Sequence, residues 1–386
     1  TSRVHTAVKI APHYDGPTVY VPDASRAVGV TTQLLSRDGR EGFVADVAAD
    51  YAKIREQHAR KKGPALVSLA QARANAYRAD WARYEPPRPL FTGRREFRNV
   101  DLAEIATLID WAPFFQTWEL SGPYPAILDD PVVGESARSV LADGQAMLKR
   151  IVDGRWLTAN GVVGFWPASS RGEDVVLWQD ESRTAPALVW HGLRQQTVKA
   201  EGQPNYALAD FVAPQEGPPD WLGAFAVTAG LGIERKLAEF ERAKDDYSAL
   251  MLKALADRLA EAFAEWLHRK VRRELWAYAR DEALDVAALV REQYRGIRPA
   301  PGYPACPDHA VKGPLFAVLD APALGLAVTE SFAMLPASSV AGFYFAHPDA
   351  RYFAVGRIGD DQLADFAQRT GVPLADARRR LAPNLG

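Results

Sequence analysis

A proline-rich segment at residues 298–309 constrains the fold more than any other stretch of this sequence. It contains four prolines in twelve residues. Proline fixes the backbone angle φ and has no N–H to donate, so the segment can be neither a helix nor a central strand. We therefore expect a rigid extended loop, in which residues that precede proline adopt extended angles and turn their backbone polar groups sideways.

Three residues of this loop suit a charged ligand. Arg298 offers a planar fork of donors that matches a carboxylate. Gly302 lets the backbone approach a ligand closely, and Tyr303 can stack or form a hydrogen bond. The composition fits a structural linker equally well. Cys306 is expected to be a small buried hydrophobic residue rather than a nucleophile.

Charge and composition exclude several classes of protein. Lys plus Arg is 46 and Asp plus Glu is 48, a formal net charge of −2, whereas nucleic-acid binders usually have a basic excess. A single cysteine rules out an intrachain disulfide and a cysteine-rich zinc site, and makes a reducing compartment the default expectation. No apolar run approaches the roughly 18 residues of a membrane helix.

Common catalytic motifs are missing from the sequence. It has no Gly-x-Gly-x-x-Gly after a strand, no phosphate-binding loop, no His-Glu-x-x-His and no serine-nucleophile elbow. No two of its seven histidines have metal-ligand spacing, so each is expected to be a surface or packed residue. We predict no catalytic residue and no metal ligand.

The first 60 residues resemble the end of an α/β domain. The sequence predicts short strands at 4–10 and 17–22, with Asp23 as the N-cap of a helix at 24–35. A second helix is expected from about Arg40 to Lys62, where Arg60-Lys61-Lys62-Gly63-Pro64 ends it and marks a boundary. The segment is too small to be a confident domain on its own.

The remainder mixes helices and strands without regular alternation, which favours an α+β fold. Helices are predicted at 68–81, 101–110, 135–152, 234–280 (broken), 284–296, 360–370 and 374–381. Strands are predicted at 161–166, 174–178, 222–229, 340–346 and 351–358, the last two as a hairpin around His347-Pro348-Asp349-Ala350. In the long helix, Asp257, Glu261 and Glu265 recur every four residues, and spacing alone favours a solvated acidic face.

The sequence resembles the C-terminal part of cobalamin (vitamin B12)-dependent methionine synthase over essentially its whole length. The segments that carry the resemblance are 6–12, 19–26, Ile109-Asp110-Trp111-Ala112-Pro113-Phe114-Phe115, 205–211, 253–263, the 298–309 loop and 329–334. So many long matches in the same order are more specific than any single motif.

The resemblance implies two parts. Residues 1–60 would be the C-terminal remnant of an α/β cobalamin-binding domain, and residues 61–386 an activation domain that binds S-adenosylmethionine. The implied fold is α+β, a mixed helical domain around a twisted, mainly antiparallel sheet. The chain would then be part of a longer methyltransferase, without the homocysteine and folate modules, their zinc, and most of the cobalamin domain.

The resemblance also implies the residues of the ligand site. Asp110, in the Asp-Trp-x-Pro-Phe motif, would contact the ligand's ammonium and Arg298 its carboxylate. The other residues implied in the site are Ala300, Gly302, Tyr303, Tyr352, Phe353, Glu261 and Glu292. The family often has tyrosine where this chain has Phe353, so a hydrogen bond through that ring is lost. Asp257 would instead face the cobalamin domain.

The implied function is reductive reactivation. S-adenosylmethionine and one electron from a flavodoxin or an equivalent reductase would restore methylcobalamin, which serves methionine biosynthesis from homocysteine and methyltetrahydrofolate in the cytoplasm. The expected partners are the cobalamin-binding domain and the reductase, with no nucleic acid and no membrane. The alternatives are a non-catalytic module that only clamps a cobalamin domain, and an unrelated enzyme with an adenosine ligand.

Overall fold

A computed structural model describes residues 2–22, 24–60 and 65–385. Contacts divide the chain into two compact units, the first ending at Ala65 and the second beginning at Leu66. The predicted N-cap Asp23 and the predicted boundary at 61–64 lie outside the described residues.

The first unit is helical throughout its regular structure. Its elements are α1 (Arg3–His5), a π-helical turn (Thr6–Ile10), a 3₁₀ turn (Ala11–His13), α2 (Ala24–Leu35) and α3 (Arg40–Arg60). These positions confirm the two predicted helices, α2 and α3.

The two strands predicted in this unit are wrong. Residues 4–10 are helical, because the Ser2 hydroxyl accepts the His5 N–H at 3.2 Å and starts a turn there. Residues 17–22 find no strand to pair with among the described residues of the unit. The Tyr20 N–H donates instead to the Tyr51 hydroxyl of α3 at 2.7 Å.

The second unit is built on an antiparallel sheet. Its strands are β1 (Gly93–Phe97), β2 (Thr158–Arg171), β3 (Asp174–Trp178), β4 (Pro186–His191), β5 (Asp220–Leu231) and β8 (Ser339–Tyr344), with β6 (Ala327–Val328) and β7 (Met334–Leu335) as a separate pair. The sheet order is β4-β3-β2-β5-β8, and β1 pairs with the first part of β2. Helices packed around an antiparallel sheet confirm the α+β prediction.

The helices of this unit cover both faces of the sheet. They are α4 (Leu69–Ala74), α5 (Leu102–Ala106), α6 (Ala112–Gln116), α7 (Gly134–Asp153), α8 (Ile233–Ala243), α9 (Asp246–Lys270), α10 (Val286–Val290), α11 (Lys312–Leu319), α12 (Asp360–Thr370) and α13 (Leu374–Arg380). The break predicted within 234–280 falls at Lys244, which has a φ of 54°. The helices predicted at 68–81, 101–110 and 284–296 are shorter than expected.

The central strands separate two hydrophobic cores. Alternate residues of a strand point to opposite faces, so Val163 and Phe165 of β2 pack with Phe263 of α9. Val162 and Trp166 join the other core with α11. The long helix α9 is therefore fixed against one face of the sheet, and this face carries the cavity described below.

The predicted hairpin between 340–346 and 351–358 is wrong in its second strand. The outer edge of β8 is already paired with the proline-rich segment. The Phe345 N–H donates to the Ile297 carbonyl and the Phe343 N–H to the Pro299 carbonyl, both at 3.0 Å. Residues 351–358 contact the proline-rich segment instead of β8, and the Val355 N–H donates to the Pro304 carbonyl at 2.8 Å.

This pairing orients Arg298. Ile297 packs in the core that contains α11, and neighbouring residues of an extended segment point to opposite faces. Arg298 therefore projects to the face covered by α9, where its guanidinium meets Glu265.

Candidate functional site

Two adjoining cavities lie beside α9 in the second unit. The first, of about 350 Å³, is lined by Leu108, Asp110, Pro113, Arg258, Glu261, Ala262, Glu265, Val286, Leu289, Val290, Glu292, Tyr294, Arg298 and Tyr303. The second, of about 480 Å³, is lined by Phe225, Glu261, Glu292, Arg298, Pro299, Ala300, Tyr303, Pro304, Ala305, Val340, Tyr352, Phe353 and Ala354. Eight of the nine residues predicted for the ligand site line one cavity or both.

Arg298 is held firmly between the two cavities. Its Nη1 donates to Glu265 Oε2 at 2.5 Å, to His268 Nδ1 at 3.2 Å and to the Tyr294 hydroxyl at 3.3 Å. Its backbone N–H donates to the Tyr352 hydroxyl at 2.9 Å. Burial disfavours the charged form of Arg298 and the Glu265 carboxylate favours it, and the net effect of its surroundings raises the pKa of Arg298 above its ordinary value.

The rest of the Arg298 guanidinium is available to a ligand. Neither Nε nor Nη2 has a hydrogen-bond partner among the described residues, and neither is fully buried. Nε and Nη2 form one edge of the planar group, the edge that binds a carboxylate through two parallel hydrogen bonds. Arg298 lines both cavities, so we expect this edge to face the ligand.

Asp110 lies at the start of α6, on the wall of the first cavity. Its Oδ1 accepts the Ala112 N–H at 3.0 Å, which fixes the side chain at the helix entry. Pro113 is tolerated in this first turn because its missing N–H would have had no helical partner. The second carboxylate oxygen accepts no hydrogen bond within the described chain, and it can accept one from a ligand ammonium.

Two further predicted acids line both cavities. Glu261 lies on α9 one turn before Glu265. Glu292 follows α10 and has a φ of 55°, an uncommon conformation for a residue with a side chain. Desolvation raises the pKa of Glu292, with Glu265 adding to the rise and Arg298 opposing it.

The proline-rich loop turns sharply at Gly302. The Gly302 N–H donates to the Cys306 carbonyl at 2.7 Å, and φ is 95°. A Cβ at this position would lie 2.1 Å from the His309 ring. Gly302 does not line either cavity, so its part in the site is to let the chain turn. Cys306 is free and buried, as predicted.

Aromatic residues form much of the second cavity. Ala300 and Tyr303 of the loop contribute one wall, and Tyr352 and Phe353 another. Tyr303 is 58% exposed, so its ring lies at the mouth. The Tyr352 hydroxyl accepts a hydrogen bond from the Arg298 backbone N–H and forms another with the Tyr294 hydroxyl at 3.2 Å.

Sequence reasoning missed three residues that surround Arg298. Spacing grouped Glu265 with Asp257 and Glu261 on a face expected to be solvated, whereas the Glu265 side chain is buried and turns toward Arg298. His268 follows Glu265 by one helical turn. Tyr294 lies after the end of α10, in residues that the sequence predicts as part of a helix at 284–296, and nothing in that pattern pointed to a contact with Arg298.

His268 is a neutral acceptor for Arg298. The ring is fully buried, and this burial, together with the charges of Arg272 and Arg298, lowers its pKa well below the ordinary value. A neutral imidazole with its proton on Nε2 leaves Nδ1 free to accept the Arg298 hydrogen bond.

The cavities favour a ligand that carries positive charge. Four carboxylates line them, Asp110, Glu261, Glu265 and Glu292, against two guanidinium groups, Arg258 and Arg298.

Among residues 2–22, 24–60 and 65–385, no group of three His, Cys, Asp or Glu side chains could hold a metal ion. None of the helices in those ranges is both long and apolar enough to cross a bilayer.

Comparison with known proteins adds two findings. A family model described as the activation domain of vitamin B12-dependent methionine synthase matches residues 101–371. A solved crystal structure, that of the MetH reactivation domain bound to AdoHcy, is similar to this chain with 48% sequence identity and a TM-score of 0.80. The similarity covers 84% of this chain and 99% of that one.

Proposed function

The chain belongs to the family of vitamin B12-dependent methionine synthase activation domains, and on that premise we propose that it binds S-adenosylmethionine and presents its methyl group for reactivation of the enzyme. The observation that carries the proposal is the position of Asp110 and Arg298 on the wall of one cavity. A similar domain was crystallised with AdoHcy, which shares its amino-acid and adenosine groups with S-adenosylmethionine.

Each part of the ligand has a complementary partner in the proposed complex. The carboxylate binds the Nε and Nη2 edge of Arg298, and the ammonium binds Asp110. The adenosine occupies the more apolar cavity between Ala300, Tyr303 and the Tyr352–Phe353 pair, while Glu261 and Glu292 lie between the cavities, where they favour the positive sulfonium. Gly302 acts on the ligand only through the loop that it allows to turn.

The protein contributes positioning to this reaction. The methyl group of a sulfonium is already activated, so its transfer needs neither a nucleophile nor a general base from the chain. A reduced cobalamin supplies the methyl acceptor, held by the cobalamin-binding domain whose end we assign to residues 1–60. We further propose that the electron comes from a flavodoxin-type protein, and that the reaction serves methionine biosynthesis in the cytoplasm.

Calorimetric titration with S-adenosylmethionine tests the proposal. We expect one molecule to bind per chain, and adenosine, which lacks the amino-acid group, to bind more weakly. A folded sample that gives no binding heat and no thermal shift would favour the alternative, a module that only clamps a cobalamin domain.

A second assay tests the methyl transfer itself. The intact cobalamin domain, prepared as cob(II)alamin, is mixed with this chain, S-adenosylmethionine with a labelled methyl group, and a chemical reductant. The proposal predicts label on the cobalamin only when both this chain and reductant are present.

A further inference from the structure

We propose that Glu265 is a positioning residue, which holds the Arg298 guanidinium so that its Nε and Nη2 edge faces the ligand carboxylate. The inference rests on the proposed function and extends it to a residue that the resemblance does not include. Glu265 contacts one nitrogen of Arg298 and leaves the carboxylate-binding edge open.

A chain of buried charges anchors Glu265. Its Oε2 accepts from Arg298 at 2.5 Å, and its Oε1 lies 3.5 Å from Arg272 Nη2. Arg272 has no exposed side-chain surface and binds Glu282 through Nε and Nη2 at 2.8–3.0 Å. The two arginines and two glutamates therefore form a row with no net charge, and Arg298 is its end at the cavity. Because both carboxylates accept hydrogen bonds, these side chains have little freedom to move.

Two neighbours of Glu265 support the same orientation. His268 follows it by one turn of α9, so both side chains reach the same Arg298 nitrogen at 2.5 and 3.2 Å. The Tyr294 hydroxyl is the third acceptor of that nitrogen, at 3.3 Å. All three contacts converge on Nη1, and none uses Nε or Nη2.

This arrangement reduces the entropy lost when a ligand binds. A free arginine side chain samples many rotamers, and ordering it opposes binding. If Glu265 instead competed with the ligand for Arg298, it would occupy the edge that the ligand needs. The observed contact is on the other side of the group, which favours positioning over competition.

The test compares S-adenosylmethionine with its decarboxylated form, which keeps the sulfonium, ammonium and adenosine. Calorimetry is run on wild type, Glu265→Gln and Glu265→Asp. We expect Glu265→Gln to weaken S-adenosylmethionine binding about fivefold and Glu265→Asp, whose carboxylate is one methylene too short to reach Arg298, about tenfold. Binding of the decarboxylated ligand should change less than about twofold.

The control variant is Glu274→Gln. Glu274 forms a comparable ion pair, 2.6 Å from Lys270, but it is 57% exposed and does not line either cavity. The affinity of the Glu274→Gln variant for both ligands should equal that of wild type. If the Glu265 variants do not fold, Tyr294→Phe replaces them, because it removes a weaker acceptor of the same nitrogen and should cost about twofold for S-adenosylmethionine only.

Each possible result has one meaning. Wild type that binds neither ligand would overturn the proposed function, and the inference with it. Wild type that binds both ligands equally would remove Arg298 from carboxylate recognition. Tighter S-adenosylmethionine binding by Glu265→Gln would mean that Glu265 competes with the ligand for Arg298. Equal losses of affinity for both ligands would mean a merely structural role. Either result overturns the positioning role of Glu265.

Discussion

The side chains of Asp110 and Arg298 line the same cavity of about 350 Å³. Asp110 is fixed at the entry of α6 by the Ala112 N–H, and Arg298 is fixed in the proline-rich loop by Glu265 on α9. A carboxylate and a guanidinium on one cavity are complementary to the ammonium and the carboxylate of an amino acid.

Asp110→Asn should weaken S-adenosylmethionine binding about tenfold without unfolding the protein. The amide oxygen of asparagine can still accept the Ala112 N–H, but the charge that attracts an ammonium is lost. Calorimetry measures the affinity. Asp101→Asn is the matched control, because Asp101 accepts the Ala103 N–H at 2.9 Å in the same way and does not line the cavity. Equal affinities for the two variants would exclude Asp110 from ammonium binding.

Gly302→Ala should destabilise the protein and weaken ligand binding together. The new Cβ would meet the His309 ring, and alanine at a φ of 95° is itself unfavourable by about 1–2 kcal/mol. Gly172→Ala is the control, since Gly172 has a φ of 61° with nothing within 4 Å of its Cβ position. Thermal unfolding should show a larger loss at Gly302, partly restored by adding His309→Ala. No restoration would mean that the ring contact is unimportant.

A buried ion network away from the cavity should determine stability without affecting the ligand. Glu173 has 1% of its side chain exposed, and it contacts Arg73 at 2.6 Å and Arg194 at 2.8 Å. Glu173→Gln should reduce the free energy of unfolding by about 3–5 kcal/mol, because it removes one of the carboxylates that neutralise the buried Arg194, whose side chain is only 4% exposed.

The control for Glu173 is Asp153→Asn, which breaks the exposed pair with Lys149 and should cost less than about 1 kcal/mol. Denaturant unfolding provides both values. A loss of ligand affinity in folded Glu173→Gln would contradict the separation of this network from the site.

Asp220 should make stability fall as pH rises from about 4 to about 7. Burial raises the pKa of Asp220 to about 7, against the Ala213 and Trp221 N–H groups, which favour its charged form. The folded state then binds a proton that the unfolded state has already lost, so the slope of stability against pH is negative in this window.

Comparison with Asp220→Asn isolates this effect. Relative to that variant, wild type should lose roughly 4 kcal/mol of unfolding free energy across the window, at about 1.4 kcal/mol for each pKa unit. Asp130→Asn is the control: backbone N–H groups lower the pKa of exposed Asp130, so its titration lies below this range. A constant difference between wild type and Asp220→Asn would contradict the prediction.

Local pattern predicted the long elements of the fold but not their partners. The helices predicted from Arg40 and at 360–370 are present as α3 and α12. Residues 351–358 have the apolar composition of a strand, yet they form none, because Ile297 and Pro299 already pair with the edge of β8. Tertiary packing determines which segment pairs with a sheet edge, and a short stretch of sequence carries no information about that packing.

The site shows the same limit. Spacing groups Asp257, Glu261 and Glu265 on α9, but it cannot say which of them turns inward. The resemblance brought Asp110 and Arg298 together, whereas composition alone left the loop as either a ligand site or a linker. Glu265 was missed because its contact with Arg298 depends on how β8 orients residues 297–299.

A crystal structure of this chain with S-adenosylmethionine tests the central proposal most directly. We expect the ligand carboxylate about 3 Å from Nε and Nη2 of Arg298, and the ammonium about 3 Å from the Asp110 carboxylate. A ligand bound outside the two cavities, or one whose amino-acid group points away from Arg298, would contradict it.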